Sequence, residues 1–297
     1  METEINAFLT SLEIRPVYSE STRLAYANDL RVFLRFMKDS HDHPPMLSDL
    51  NTMQVTAFIN AERQLGRRRN TLIRRLATLK YFREYLVDKG LIPPDSFSVD
   101  DIEIQHLISE IPQRQSLHCL SSEQILTLLA IMNSSTRPRA LRDQAILMLL
   151  LETGLSVRDL TALDMTDLDL RAGRFHANLV GKGDLWLALG EAKQAVEGYI
   201  LEGRPDLLHH PGEPALFISQ MDGRLSRQGV WQILNHWGQL ANPPIPLSPR
   251  VVRHTAVLRM MAAGLSTAEI QIRLGHSNPL STRALIRRLE SACPDQL

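Results

Sequence analysis

From Ile5 to about Leu91, apolar residues recur three and four positions apart, the spacing that places them on one face of an α-helix. Three or four helices are expected over this stretch. His43-Pro44-Pro45 breaks the second helix, Asn51 can cap the third, and Gly90 ends the last, since proline and glycine interrupt helices. The pattern predicts a small all-α domain over residues 1–97.

Residues 98–117 lack this sustained periodicity. They carry Asp100, Asp101, Glu103 and Glu110. An acidic stretch without a helical period is typical of a linker between domains. A second domain is therefore predicted over residues 118–297.

Within the second domain, the spacing of apolar residues changes from a helical pattern to two short strand-like runs and back. Arg174–Val180 and Leu185–Leu189 read as two short strands joined by Gly181-Lys182-Gly183-Asp184, which predicts a hairpin with Lys182 at its tip. The pattern indicates a mainly α protein with a small β-hairpin or sheet. Helices are predicted near residues 121–133, 141–152, 191–202, 227–241, 249–263, 267–274 and 280–290.

The charge of the chain is balanced, with 33 basic and 33 acidic residues, so an anion-binding surface must be local. Between Glu62 and Arg83, eight cationic side chains accompany one acid, and Pro249–Glu290 holds seven arginines against two acids. Either cluster alone fits a solvated helix face as well as a duplex phosphate backbone. Two such clusters favour nucleic-acid binding. The candidate DNA contacts of the first cluster are Arg67, Arg68, Arg69, Arg74, Arg75 and Lys80.

The sequence shows no pattern typical of a disulfide-bonded, zinc-binding or membrane-spanning protein. Cys119 and Cys293 lie far apart with no metal-ligand spacing, which predicts neither a disulfide framework nor a structural zinc site. No apolar run approaches the roughly 20 residues of a membrane span, so a cytoplasmic, nucleoid-associated protein is expected. Trp186, Trp231 and Trp237 are interpreted as packing residues.

Several motifs, in their order and approximate spacing, resemble the tyrosine recombinase (phage integrase) family over nearly the full length. The resemblance implies a helical, SAM-like core-binding domain and an α+β catalytic-like domain that close around duplex DNA, with no cofactor and no metal. The motifs are Ser21–Tyr26, Arg69–Leu76, Arg142–Ile146, Thr153-Gly154-Leu155, Gly181-Lys182-Gly183, Ser248-Pro249, Arg253-His254-Thr255 and Leu274-Gly275-His276.

The resemblance also implies a set of catalytic positions. A tyrosine attacks the phosphodiester, two arginines bind its oxygens, a hairpin lysine protonates the leaving oxygen, and two histidine positions assist. Three of these positions match in this sequence, and they are also candidate DNA contacts: Lys182, Arg253 and His276.

Three positions depart from the family pattern. Ser156 stands where the first arginine is expected, and Arg158 is about 200° further around a helix. Arg250 replaces a histidine and is counted as a DNA contact. Leu285 or Ile286 occupies the place of the nucleophile, while the last tyrosine is Tyr199, which reads as a core residue.

These departures predict a DNA-binding recombinase homologue that lacks strand cleavage and serves as an accessory subunit or a regulator. Its partners would be double-stranded DNA and either an active tyrosine recombinase or further copies of itself. Two alternatives stay open: a helix-turn-helix transcriptional regulator, suggested by Leu265–Ser277, and an active recombinase with an atypical nucleophile.

Overall fold

A computed structural model of the chain describes residues 1–13, 20–111, 117–135, 137–179, 183–276 and 278–293. The chain divides into two units, Met1–Gln115 and Ser116–Leu297, called unit 1 and unit 2. The core of unit 1 is separate from that of unit 2. None of the helices in the described ranges combines the length and the apolar character needed to cross a membrane.

Unit 1 is helical, as the 3.6-residue pattern predicts. Its helices are α1 (Glu2–Glu13), α2 (Glu20–Ser40), α3 (Thr52–Gln64), α4 (Arg69–Asp88) and α5 (Ile102–Ser109). The predicted cap of α3 is present, since the Asn51 side chain accepts a hydrogen bond from the Gln54 amide at 3.0 Å. Gly90, with φ +68°, follows the end of α4.

Helix α5 differs from the sequence prediction, because it lies inside the stretch interpreted as a linker, residues 98–117. Asp101 caps it by accepting from the Glu103 amide at 2.9 Å. Ile104 and Ile108, one turn apart, are buried in the core of unit 1. Of the acidic residues in this stretch, Glu103 lies on the exposed side of the helix, and Asp100, Asp101 and Glu110 flank its two ends. The boundary between the units falls after residue 115.

Unit 2 combines helices with one small sheet. In chain order its elements are α6 (Ser122–Asn133), α7 (Pro138–Thr153), α8 (Val157–Ala162), β1 (Leu168–Asp169), β2 (Arg174–Leu179), β3 (Gly183–Ala188), α9 (Lys193–Gly198), α10 (Arg204–Leu207), α11 (Arg227–Leu240), α12 (Pro249–Ala262), α13 (Thr267–Leu274) and α14 (Pro279–Ala292). Helix α7 is the most deeply buried, with Ala145 and Leu149 fully inside the core.

The sheet is antiparallel in the order β1-β2-β3. Phe175 pairs with Leu187 on the buried side, and His176 pairs with Trp186. The two longer strands were predicted, whereas β1 has two residues and leaves no periodic signal. The hairpin tip with Lys182 lies outside the described residues.

Gly154 positions the chain that leaves α7. It has φ +63° and caps the helix, and a Cβ atom there would lie 3.0 Å from Leu274 Cδ2 and 3.2 Å from Met260 Cε. A side chain at this position would strain the backbone and would require the Leu274 and Met260 side chains to shift.

A second apolar cluster of unit 2 is built by the last three helices and is called the α12–α14 cluster. It lies under the motifs that resemble the catalytic positions. Its buried members are Ala256, Val257, Leu258, Met260, Ile270, Leu274 and Leu289.

Candidate functional site

Arg253 and His276, two of the three matching catalytic positions, meet in unit 2. Arg253 Nη1 donates to the Gly154 carbonyl at 2.8 Å, and Nη2 donates to the Leu274 carbonyl at 2.7 Å. Arg253 Nη2 also lies 3.1 Å from His276 Nε2. A guanidinium has donors only, so His276 Nε2 accepts this bond and the proton of the neutral ring is on Nδ1.

The opposite edge of His276 is held by α14. Nδ1 lies 2.9 Å from Thr282 Oγ1 and donates to it, and Thr282 is fully buried. The Gln271 side chain donates to the His276 carbonyl at 3.0 Å. Thr282, which sequence reasoning did not place in the site, therefore fixes the ring and its tautomer, and its burial keeps its hydroxyl away from a bound DNA strand.

The guanidinium of Arg253 is largely removed from solvent. Burial lowers its pKa below the ordinary value, and the Asp159 carboxylate opposes this effect. Three of its five N–H groups are used in the bonds to Gly154, Leu274 and His276. The other two N–H groups make no hydrogen bond to the described residues.

Ser156 has a structural role in the place expected for the first arginine. It caps α8, since Oγ accepts from the Asp159 amide at 3.2 Å and donates to Asp159 Oδ2 at 2.6 Å. Arg158 is half exposed and lies 3.4 Å from Asp159 Oδ1. The Asp159 carboxylate thus accepts bonds from Ser156, at the expected arginine position, and from Arg158, two residues later.

Arg250 and His254 lie one turn apart on α12, with Arg250 Nε 3.5 Å from His254 Nε2. Arg250 is exposed, whereas His254 is buried. Burial, and then the positive charge of Arg250, lowers the pKa of His254 to about 4. His254 is therefore neutral at pH 7.

The low pKa of His254 makes the stability of the protein depend on pH. The ordinary pKa of 6.5 falls to about 4 on folding, so between these pH values the unfolded chain binds the extra proton. We expect the free energy of unfolding to fall as the pH drops from 6.5 towards 4. Chemical denaturation at pH 7 and pH 5 should show a larger loss for the native sequence than for His254→Gln; equal losses would contradict the assignment.

The two positions where the resemblance implies a nucleophile carry hydrocarbon side chains. Leu285 and Ile286 are half-buried and pack against the α12–α14 cluster. Tyr199 is confirmed as a core residue: its hydroxyl donates to the Leu216 carbonyl at 3.1 Å and accepts from the Ile218 amide at 3.1 Å. Burial raises the pKa of this phenol.

The basic cluster of unit 1 is divided between the surface and the core. Arg75 is only 5% exposed and is ion-paired to Glu62 and Asp29, so it departs from the predicted set of DNA contacts. Arg74, partly exposed, also binds Asp29 and donates to the Ala25 carbonyl at 3.2 Å. Because an unpaired buried carboxylate is costly, Arg75 stabilises the fold.

The remaining members of this cluster are accessible. Arg67 pairs with Glu62 at 3.3 Å, Arg69 Nε donates to the Ile108 carbonyl at 3.3 Å, and Lys80 lies 3.8 Å from Asp100. Arg68 is exposed and makes no ion pair within the described ranges.

Helix α11 presents a polar face that sequence reasoning missed. Arg227, Gln228, Trp231 and Gln232 are exposed, and α11 contains no acidic residue. Trp231 is 51% exposed and Trp186 is 49% exposed, so neither lies in the core, although Trp186 packs against Arg174 and His176 on the sheet. Trp237 is buried and donates to Asp143 at 2.9 Å. The sequence of α11 did carry a signal for this face: it has glutamines and an arginine but no acidic residue. Gln and Arg side chains are typical contacts to base edges and phosphates.

Known proteins resemble both units. The model of the phage integrase family matches residues 118–289, and that of the phage integrase N-terminal SAM-like domain matches residues 5–90. The chain is 28% identical over 286 residues to tyrosine recombinase XerD of Oceanobacillus iheyensis, covering 95% of this chain and 93% of that protein. It is 30% identical over 291 residues to tyrosine recombinase XerC of Roseiflexus castenholzii, covering 95% and 88%.

Solved structures share the fold at low identity. The Tn1549 transposon integrase in complex with a circular intermediate DNA matches with a TM-score of 0.73 at 16% identity, covering 95% of this chain and 94% of that one. A lambda integrase dimer bound to a COC' core site matches with a TM-score of 0.69 at 17% identity, covering 96% and 94%. With matches that cover both units of the sequence, this chain belongs to the phage integrase family, the tyrosine recombinases.

Proposed function

We propose that this chain binds duplex DNA in site-specific recombination and holds a phosphodiester without cleaving it. The observation that carries the proposal is the lack of a nucleophile. The sequence has five tyrosines, of which Tyr199 is the last, and its hydroxyl is occupied in the core. Hydrophobic side chains stand at Leu285 and Ile286.

The loss of the nucleophile outweighs the other departures. Removing one donor to a developing phosphate charge slows an enzyme by about a hundred- to a thousandfold. Without a hydroxyl to form the covalent intermediate, the first of the two transesterification steps is absent altogether. Thr282 does not replace it, because its hydroxyl is buried against His276.

What the site retains suits binding. Arg253 keeps two N–H groups for a phosphate oxygen, and Arg250 adds a positive charge one turn earlier on α12. Arginine donates to phosphate through a planar fork and keeps its charge at any working pH. Lys182 is a further proposed phosphate contact on sequence grounds, and the acid-free face of α11 is proposed to contact base edges.

In unit 1, the proposed duplex contacts are the accessible members of the basic cluster. Arg67, Arg68, Arg69, Arg74 and Lys80 remain candidates, and the buried Arg75 does not. Their contribution would be independent of sequence, since contacts to phosphates position a protein without reading bases.

We expect the combined Arg67→Ala, Arg68→Ala and Arg69→Ala variant to bind every duplex more weakly. The slope of log affinity against log salt should flatten by up to about three units, because each lost phosphate contact releases about one counterion fewer. Fluorescence anisotropy over a series of salt concentrations measures both quantities.

A matched control removes three exposed cations outside both basic clusters, Arg137, Arg139 and Arg171. This control should keep the slope of the native protein. An equal change of slope in both variants would point to net charge alone and would reject a local phosphate surface in unit 1.

We further propose that the chain assembles on DNA with another recombinase-fold subunit, either an active tyrosine recombinase or a second copy. A lambda integrase structure of the same fold is a dimer on a core site, which supports this arrangement. Sedimentation on DNA, with and without a co-encoded active recombinase, should give a complex larger than one subunit. A strict monomer on DNA under both conditions would contradict it.

A further inference from the structure

The two cysteines, distant in sequence, come together in unit 2. Cys119 precedes α6, and Cys293 follows the last turn of α14. Both are free thiols, both are partly buried against the α12–α14 cluster, and they are close enough for Cys293 to affect the ionisation of Cys119. A disulfide between two such thiols requires their Cα atoms to come within about 7 Å of each other.

Helix α14, which this pair would fasten, is weakly anchored. Of its fourteen residues, only Thr282 and Leu289 are buried. An element with few buried contacts opens locally at low cost in free energy. Thr282 also holds His276, and His276 accepts from Arg253, so the position of α14 affects the arrangement of the site.

We propose that Cys119 and Cys293 form a reversible disulfide that clamps α14 onto unit 2. The inference is independent of the proposed function. In a reducing compartment such a bond would form transiently and respond to redox conditions.

The oxidant is a low-molecular-weight disulfide such as oxidised glutathione. The Cys293 thiolate attacks one sulfur of that disulfide, its S–S bond breaks, and one glutathione leaves as a thiolate that takes up a proton. Cys119 then loses its proton, its thiolate attacks Cys293 Sγ in the mixed disulfide, and the second glutathione leaves as a thiolate that takes up a proton. Two protein thiols are oxidised, and one glutathione disulfide is reduced to two thiols.

The order of these steps follows from the surroundings of Cys119. Burial, and then the neighbouring Cys293, raises the pKa of Cys119 to about 12. Cys119 therefore stays protonated at neutral pH and is the second thiol to react, and the closing step should accelerate as the pH rises.

Incubation of the full-length native protein with oxidised glutathione tests the clamp. Intact-mass and peptide analysis should find an intramolecular Cys119–Cys293 bond that a reductant reverses. Amide exchange in α14 should slow by about tenfold or more. Cys119→Ser should stop at the glutathione adduct on Cys293, and Cys293→Ser should yield no intramolecular bond. If the native protein stops at the mixed disulfide or forms only intermolecular bonds, the proposal is wrong.

Discussion

Replacing Arg75 with alanine is expected to lower the free energy of unfolding by about 3 kcal/mol, the lower end of the cost of breaking a buried ion pair. The guanidinium bridges the buried carboxylates of Asp29 on α2 and Glu62 on α3. Without it, Asp29 keeps Arg74 and the buried Thr78 hydroxyl, and Glu62 keeps Arg67, which is half exposed. Urea denaturation followed by circular dichroism measures the change.

Arg68→Ala is the matched control for this prediction. Arg68 is exposed at the start of the same helix, so its removal should change stability by less than about 0.5 kcal/mol while weakening DNA binding. If Arg75→Ala instead kept the stability of the native protein and lost affinity for DNA, the structural role of Arg75 would be contradicted. Arg75 would then be a DNA contact, as the sequence predicts.

Arg75 also illustrates which properties the sequence leaves open. A run of arginines gives the local charge, but whether one of them is buried depends on how α2 and α3 pack, because these helices supply Asp29 and Glu62. Helix periods and caps depend on neighbouring residues, which is why α1–α4, the cap at Asn51 and the strands β2 and β3 were predictable.

Short elements and tertiary contacts were harder to predict. Helix α5 has eight residues, few enough that the acidic residues in and around it outweighed the spacing of Ile104 and Ile108. The motifs identified Arg253 and His276 by resemblance, yet no local pattern indicates that Thr282 sets the tautomer of His276. The meeting of Cys119 and Cys293 likewise requires the packing of α14.

The largest change in activity is expected from restoring all three missing groups together. We expect Ser156→Arg, Arg250→His and Ile286→Tyr in one variant to give weak strand nicking, with Leu285→Tyr as the alternative placement of the nucleophile. Either tyrosine would start half-buried against the α12–α14 cluster. Ser156→Arg removes the side chain that caps α8, so the nicking activity that the combined variant gains should be small.

Single restorations are the controls for that variant. Residues that act as a unit have non-additive effects, so Ile286→Tyr alone should remain without activity measurable above background. Nicking of a labelled duplex, resolved on denaturing gels, compares the variants. If one substitution alone gave the activity of the combined variant, the departures at Ser156 and Arg250 would not matter for cleavage.

The central claim is that the native protein binds DNA and does not cleave it. A suicide DNA substrate, nicked so that a released fragment diffuses away, traps the covalent protein–DNA adduct of a tyrosine recombinase. Incubated at concentrations where the anisotropy assay shows full binding, the native protein is expected to give no adduct. A covalent adduct would contradict the claim, and peptide mapping of the attachment residue would identify the nucleophile.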